Sequence, residues 1–101
     1  MTEARIRATG PDWSRETGLL IAQLRKQLGW SYDDMQNALM EATRDDRFGV
    51  VKPSITTLRH IEEGFYDPEG NHRTRRLEAG EIRAFAKAFG MRTDDLLQMR
   101  S

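Results

Sequence analysis

Short helical runs, opened by a capping side chain and closed by glycine, constrain this chain more than any other feature. Ser31, Ser54 and Thr93 stand where helices begin, and Gly29, Gly64 and Gly90 stand where they stop. A hydroxyl at a helix N-terminus accepts a hydrogen bond from a backbone N–H that has no partner within the helix. Glycine takes the left-handed conformation in which many helices end. Between these marks the apolar residues recur at helical spacing and almost nowhere alternate. The pattern predicts an all-α fold of five short helices around one core.

The first helix is expected from Ser14 to Leu28, with Thr17, Leu20, Ile21, Leu24 and Leu28 inward. The second begins after Ser31, where Asp34 makes a near relative of a capping box, and fades near Thr43. It turns Met35, Ala38, Leu39 and Ala42 inward. The third spans Ile55 to Glu62, with Thr57, Leu58 and Ile61 inward. The fourth runs from Leu77 to Phe89 on Ile82, Phe85, Ala86 and Phe89, and the last from Asp94 to Met99. Trp30 is assigned to the core. In the connection Arg44–Pro53, Phe48, Val50 and Val51 are expected to form an extended piece that caps the core. Asp67–Gly70 fits a type I turn within the polar stretch Phe65–Arg76, which is expected to form a basic hairpin or arm. Residues 1–11 read as a flexible N-terminal arm and residues 12–101 as one domain.

Composition narrows the function classes. A chain of 101 residues supports a single modest core. With no cysteine, thiolate metal sites and disulfides are excluded, and a reducing cytoplasm is the expected location. The longest apolar run, Leu19–Ala22, is far too short to span a membrane, and no apolar stretch at the N-terminus fits a secretory signal. His60 and His72 lack metal-ligand spacing, and the glycines punctuate helices rather than cradle phosphate. No motif pairs a nucleophile with a base. Neither an enzyme nor a cofactor or metal is therefore expected. The 16 basic and 16 acidic side chains balance, which argues against nonspecific coating of nucleic acid and leaves room for a local basic face.

One helix carries such a face. In Ser54–Gly64, the outward residues are Ile55, Thr56, Arg59 and His60. A helix fits the major groove of DNA and reads bases from side chains near its N-terminus. Ile55 and Thr56 suit a thymine methyl, Arg59 a guanine edge or a phosphate, and His60 either. Ser54 and its neighbouring amides suit a phosphate at the helix start. Arg73, Arg75 and Arg76 form a basic run that can track the DNA backbone.

Three blocks of the chain resemble the Cro/C1-type (XRE-type) helix-turn-helix family. In Ile21–Met35 the residues Ile21, Leu24, Arg25, Gly29, Ser31 and Met35 follow the family's order. Ile61-Glu62-Glu63-Gly64 fits its Ile-Glu-x-Gly close, and FAKAFGMRTDDLL within Ile82–Leu97 is similar to its final segment. The resemblance implies a five-helix lambda-repressor-like domain that binds double-stranded DNA as a homodimer on a palindromic operator, most often as a repressor. It places Ile55, Thr56, Arg59 and His60 at the bases, and it pairs Arg25 with Glu62 to tie the first helix to the end of the reading helix. Three departures stand out. Tyr32 replaces the usual glutamine, where its hydroxyl can donate to a phosphate. Gln36 replaces a small residue, and Thr43–Pro53 replaces a short turn. A dimer seam is expected through Leu96, Leu97 and Met99. The rival reading is an antitoxin-like regulator or protein-interaction module that keeps the fold and uses its inserted loops to hold a partner protein.

Overall fold

Five helices and one short hairpin build residues 11–99, which are the residues that the computed structural model describes. They are α1 (Pro11–Gln27), α2 (Tyr32–Ala42), α3 (Ile55–Glu63), β1 (Phe65–Tyr66), β2 (His72–Arg73), α4 (Ala79–Ala88) and α5 (Thr93–Met99). The arm expected before Pro11 lies outside the described residues. Pro11 itself is the first helical residue of α1, where its fixed φ and missing N–H are tolerated.

The caps form much as their residues dictate. Ser31 and Asp34 make a reciprocal capping box: Ser31 Oγ accepts from the Asp34 N–H (3.1 Å), and Asp34 Oδ2 accepts from the Ser31 N–H (2.9 Å). Gly29 and Gly90, at φ of 71° and 72°, close α1 and α4. Beyond each, the next residue donates back into the helix, Trp30 to the Arg25 carbonyl (3.0 Å) and Met91 to the Ala86 carbonyl (2.9 Å). A side chain at either glycine would strain that left-handed turn.

α1 packs on α3, α2 on α4, and α4 on α5. The core joins Leu20 and Ile21, Met35 and Leu39, Leu58 and Ile61, Ile82, Phe85 and Ala86, and Leu96. Thr17 is buried as its spacing predicts. Leu28 is not: it is 52% exposed, because α1 ends at Gln27 and the turn carries Leu28 off the helical face. Trp30 is half-buried and stacks on Phe89, with ring centres 5.8 Å apart. Leu77, expected inside the fourth helix, precedes it. There it is buried and donates its N–H to the buried Ser14 hydroxyl (3.2 Å), linking the start of α1 to the lead-in of α4.

Two further expectations need correction. Phe48 and Val50 point outward and form no strand, and only Val51 of that trio packs on the core. Leu96 is wholly buried within its own chain and so is not free to form a dimer seam, while Leu97 packs half-buried beside that core; the Met99 side chain lies outside the described residues. The stretch after α3 does form a hairpin. Phe65 pairs with Arg73 and Tyr66 with His72 in antiparallel register, closed by Gly70 N–H donating to the Asp67 carbonyl (2.9 Å). Among the described residues no helix is long and apolar enough to cross a membrane.

Candidate functional site

α3 is held from behind and open in front. Ser54 is extended at its N-cap and accepts from the Thr57 N–H (3.1 Å), while its hydroxyl donates to Thr57 Oγ1 (3.0 Å). Leu58 and Ile61 sink into the core. On the far side Thr56 is exposed and the Arg59 side chain is 58% exposed. Ile55 and His60 are half-covered, and the His60 ring lies 5.1 Å from that of Phe65. Of the four outward residues, Thr56 and Arg59 are thus the most exposed, with the Arg59 guanidinium 5.7 Å from the centre of the Tyr32 ring, and Ile55 and His60 flank them.

Behind α3, Glu62 gathers three donors. Arg25 Nε and Nη2 grip its two oxygens at 2.7 and 3.0 Å, and the Tyr32 hydroxyl donates to Oε1 at 3.2 Å. Arg25 Nη1 also donates to the Trp30 carbonyl (2.6 Å), and its guanidinium lies 4.4 Å from the centre of the Tyr32 ring. The pair is largely out of solvent, at 11% exposure for the Arg25 side chain and 4% for Glu62. Hydrogen bonding to Glu62 raises the pKa of Arg25 above its ordinary value. One ionic cluster therefore ties the end of α1, the turn after it, the start of α2 and the end of α3.

The Tyr32 hydroxyl, which the sequence offers to a phosphate, belongs to this cluster. It donates to Glu62 and to Glu63 Oε2 (3.2 Å). Burial, then the negative charges of Glu62 and Glu63, push its pKa up to about 12. Nearby, α1 and α3 touch backbone to backbone. A methyl at Gly18 would be driven into the Ile61 carbonyl oxygen. This mid-helix glycine escaped sequence reasoning, although glycine within a helix is unfavourable and its presence in α1 was the available signal.

The long connection before α3 is braced at both ends. Thr43 Oγ1 donates to the Leu39 carbonyl and accepts from the Val51 N–H, each at 2.8 Å. Asp46 accepts from the Phe48 N–H (2.9 Å) and meets Arg83 (2.8 Å) and Lys87 (3.5 Å) of α4. The Phe48 amide, with Arg83 next, holds the Asp46 carboxyl below its usual pKa. Gln36, the residue in place of a small one, donates to the Pro53 carbonyl (2.8 Å) beside the N-cap of α3. What the resemblance marks as a departure is here a strut.

The basic run divides. Arg73 is paired with Asp67 (2.8 Å) and Arg75 with Glu81 (2.9 Å), whereas the Arg76 side chain is exposed with no ion pair among the described contacts. The hairpin lies over the end of α3: His72 Nε2 donates to the Glu63 carbonyl (2.9 Å), and Gly64 sits where a Cβ would collide with His72 and the Arg73 carbonyl. Arg59 meets Glu63 only at 3.9 Å. Such an exposed i,i+4 pair is worth about 0.3–0.5 kcal/mol, so another anion displaces it readily. The arrangement presents a rigidly backed helix with one exposed, loosely paired guanidinium and a hydroxyl near its first turns. No family model matches this chain, and neither a curated protein nor a solved structure matches it.

Proposed function

We propose that the chain is a sequence-specific DNA-binding transcriptional regulator, a lambda-repressor-like domain of the Cro/C1-type that acts in the cytoplasm as a repressor and reads a palindromic operator as a dimer through α3. The observation that carries this reading is the contrast between the two sides of α3. One side is fastened by Leu58, Ile61 and the Glu62 cluster, and the other offers Thr56 and Arg59 to solvent. A reading helix needs that rigidity, because bidentate base contacts tolerate little misplacement. Arg59 takes a guanine edge, Thr56 and Ile55 a thymine methyl, and His60 a flanking polar edge. Arg76 and the helix start at Ser54 take phosphates. Tyr32, Arg73 and Arg75, each engaged by a carboxylate of the same chain, act as braces.

Selection of bound sequences from a random duplex library, run at two salt concentrations, tests the reading. A palindromic consensus supports it, and absence of enrichment refutes it. Arg59→Ala is expected to cost about 1–3 kcal/mol and relax the preference at one base position, whereas Arg76→Ala lowers affinity for all sequences and reduces the salt slope by about 1. The rival reading, a module that binds a partner protein, draws on the internal pairing of Arg73 and Arg75. It predicts no enrichment at either salt concentration.

A further inference from the structure

A half-enclosed cleft of about 320 Å³ opens between α1 and the end of α3. Arg15, Leu19, Ala22 and Lys26 line it from α1, and Glu63 and Thr74 face them from the other wall. The four α1 residues follow one another at intervals of three and four, so they share one face of the helix. At a rise of 1.5 Å per residue, the Cα atoms of Arg15 and Lys26 stand about 16 Å apart. Leu19, 52% exposed, and half-buried Ala22 lie between them. The charges in the lining do not balance. Arg25 is cancelled by Glu62, whose oxygens already accept from Arg25 and Tyr32. Glu63 takes the Tyr32 hydroxyl and lies 3.9 Å from Arg59. Arg15 and Lys26 are exposed and have no ion pair among the described contacts. Two positive charges are left, one at each end of an apolar strip.

We infer that this cleft binds a small organic dianion, an apolar chain with a carboxylate at each end. The chain lies along α1 over Leu19 and Ala22, with one carboxylate on Arg15 and the other on Lys26. Size favours a small molecule, since ligand pockets begin at about 300 Å³ whereas a stable protein partner covers about 800 Å² of surface. Charge placement favours two separated anionic groups. An inorganic anion would have to draw both side chains away from the ends of the strip, and it would leave Leu19 uncovered. A duplex offers phosphates but no apolar middle. Opposite α1, the Thr74 hydroxyl is the polar group that no carboxylate of the cleft opposes in sign. The site exists only in the folded chain, because one wall is α1 and the other holds Glu62, Glu63 and Gly64 at the end of α3. A ligand here therefore stabilises the fold by mass action. The inference rests on the meeting of α1 and α3 and does not depend on DNA.

Titration of the whole chain without DNA, followed by amide NMR shifts at constant ionic strength, tests it with succinate, adipate, suberate, hexanoate and sulfate as probes. The expected result is a saturable shift at cleft residues for a dicarboxylate of matching length, which also raises the melting temperature. Hexanoate and sulfate are expected to bind more weakly. Arg15→Gln and Lys26→Gln, both at exposed positions, are each expected to weaken dicarboxylate binding about fivefold, the upper range for an exposed ion pair. The double variant is expected to lose the preference for a dicarboxylate over hexanoate, and Leu19→Ser to weaken both. Circular dichroism and the melting temperature without ligand check that each variant is folded. Shifts that fail to saturate for every dicarboxylate overturn the inference. So does binding that sulfate matches, or binding indifferent to Arg15→Gln and Lys26→Gln. Such a failure leaves the DNA reading standing, because selection from a duplex library needs no ligand in this cleft.

Discussion

Replacing Glu62 with glutamine removes one charge from a cluster that has almost no access to water. The Arg25 side chain is 11% exposed and would keep its cation, its bond to the Trp30 carbonyl and at best one amide oxygen. Breaking a buried pair by removing one partner costs about 3–5 kcal/mol, because the remaining charge stays desolvated. Residual exposure of Arg25 places Glu62→Gln near the lower end, at about 3 kcal/mol. A domain of this size has a total stability of about 5–15 kcal/mol, and at about 4–8 °C per kcal/mol the melting temperature should fall by roughly 12–24 °C. Urea unfolding followed by circular dichroism measures this directly. The pairwise part comes from a cycle with Arg25→Met and the double variant, which leaves no orphan charge and should be more stable than Glu62→Gln alone. A loss below about 1 kcal/mol for Glu62→Gln, the range of an exposed pair, would refute the claim that this cluster anchors α3.

Other expectations follow from the same contacts. Tyr32→Phe removes one hydroxyl shared by Glu62 and Glu63 and should cost about 1–2 kcal/mol in urea unfolding. Because the Tyr32 pKa is raised from 10.0 to about 12 in the folded chain, its contribution is complete below about pH 10 and lost as pH rises through about 12. Ultraviolet titration should show a late-ionising tyrosine that Tyr32→Phe removes. Gly18→Ala should destabilise by about 1–3 kcal/mol, since the clash with the Ile61 carbonyl outweighs the gain in helix propensity; a melting temperature equal to or above wild type would contradict the close α1–α3 approach. Asp46 has a depressed pKa, so its hold on Arg83 and Lys87 is full above its unfolded value and fades as pH falls through the lower folded one. Hydrogen exchange at the Phe48 amide should rise over that acid range and in Asp46→Asn.

Much of this architecture is local and therefore legible in residue order. Ser31 with Asp34, Ser54 before Ile55, and Gly29 and Gly90 at their helix ends act through bonds within a few residues, so spacing alone locates them. The inward positions Ile21, Met35, Leu39, Leu58, Ile61 and Phe85 follow from a 3.6-residue period for the same reason. The outward set on α3 was legible to the extent that it is the complement of that period, and Thr56 and Arg59 are indeed exposed. Joining Arg25 to Glu62 required more than periodicity, since they lie 37 residues apart.

Tertiary structure alone decided which polar groups are occupied. Tyr32, Arg73 and Arg75 look available in the sequence, yet each is engaged by a carboxylate of the same chain. Leu96 looks like a surface seam and is core, whereas Phe48 and Val50 look like core and are surface. The physical reason is that helix starts, stops and faces are set by bonds and periods spanning a few residues. Which charge finds which partner, and which apolar side chain finds cover, depends on distances between elements that meet only when the chain is folded.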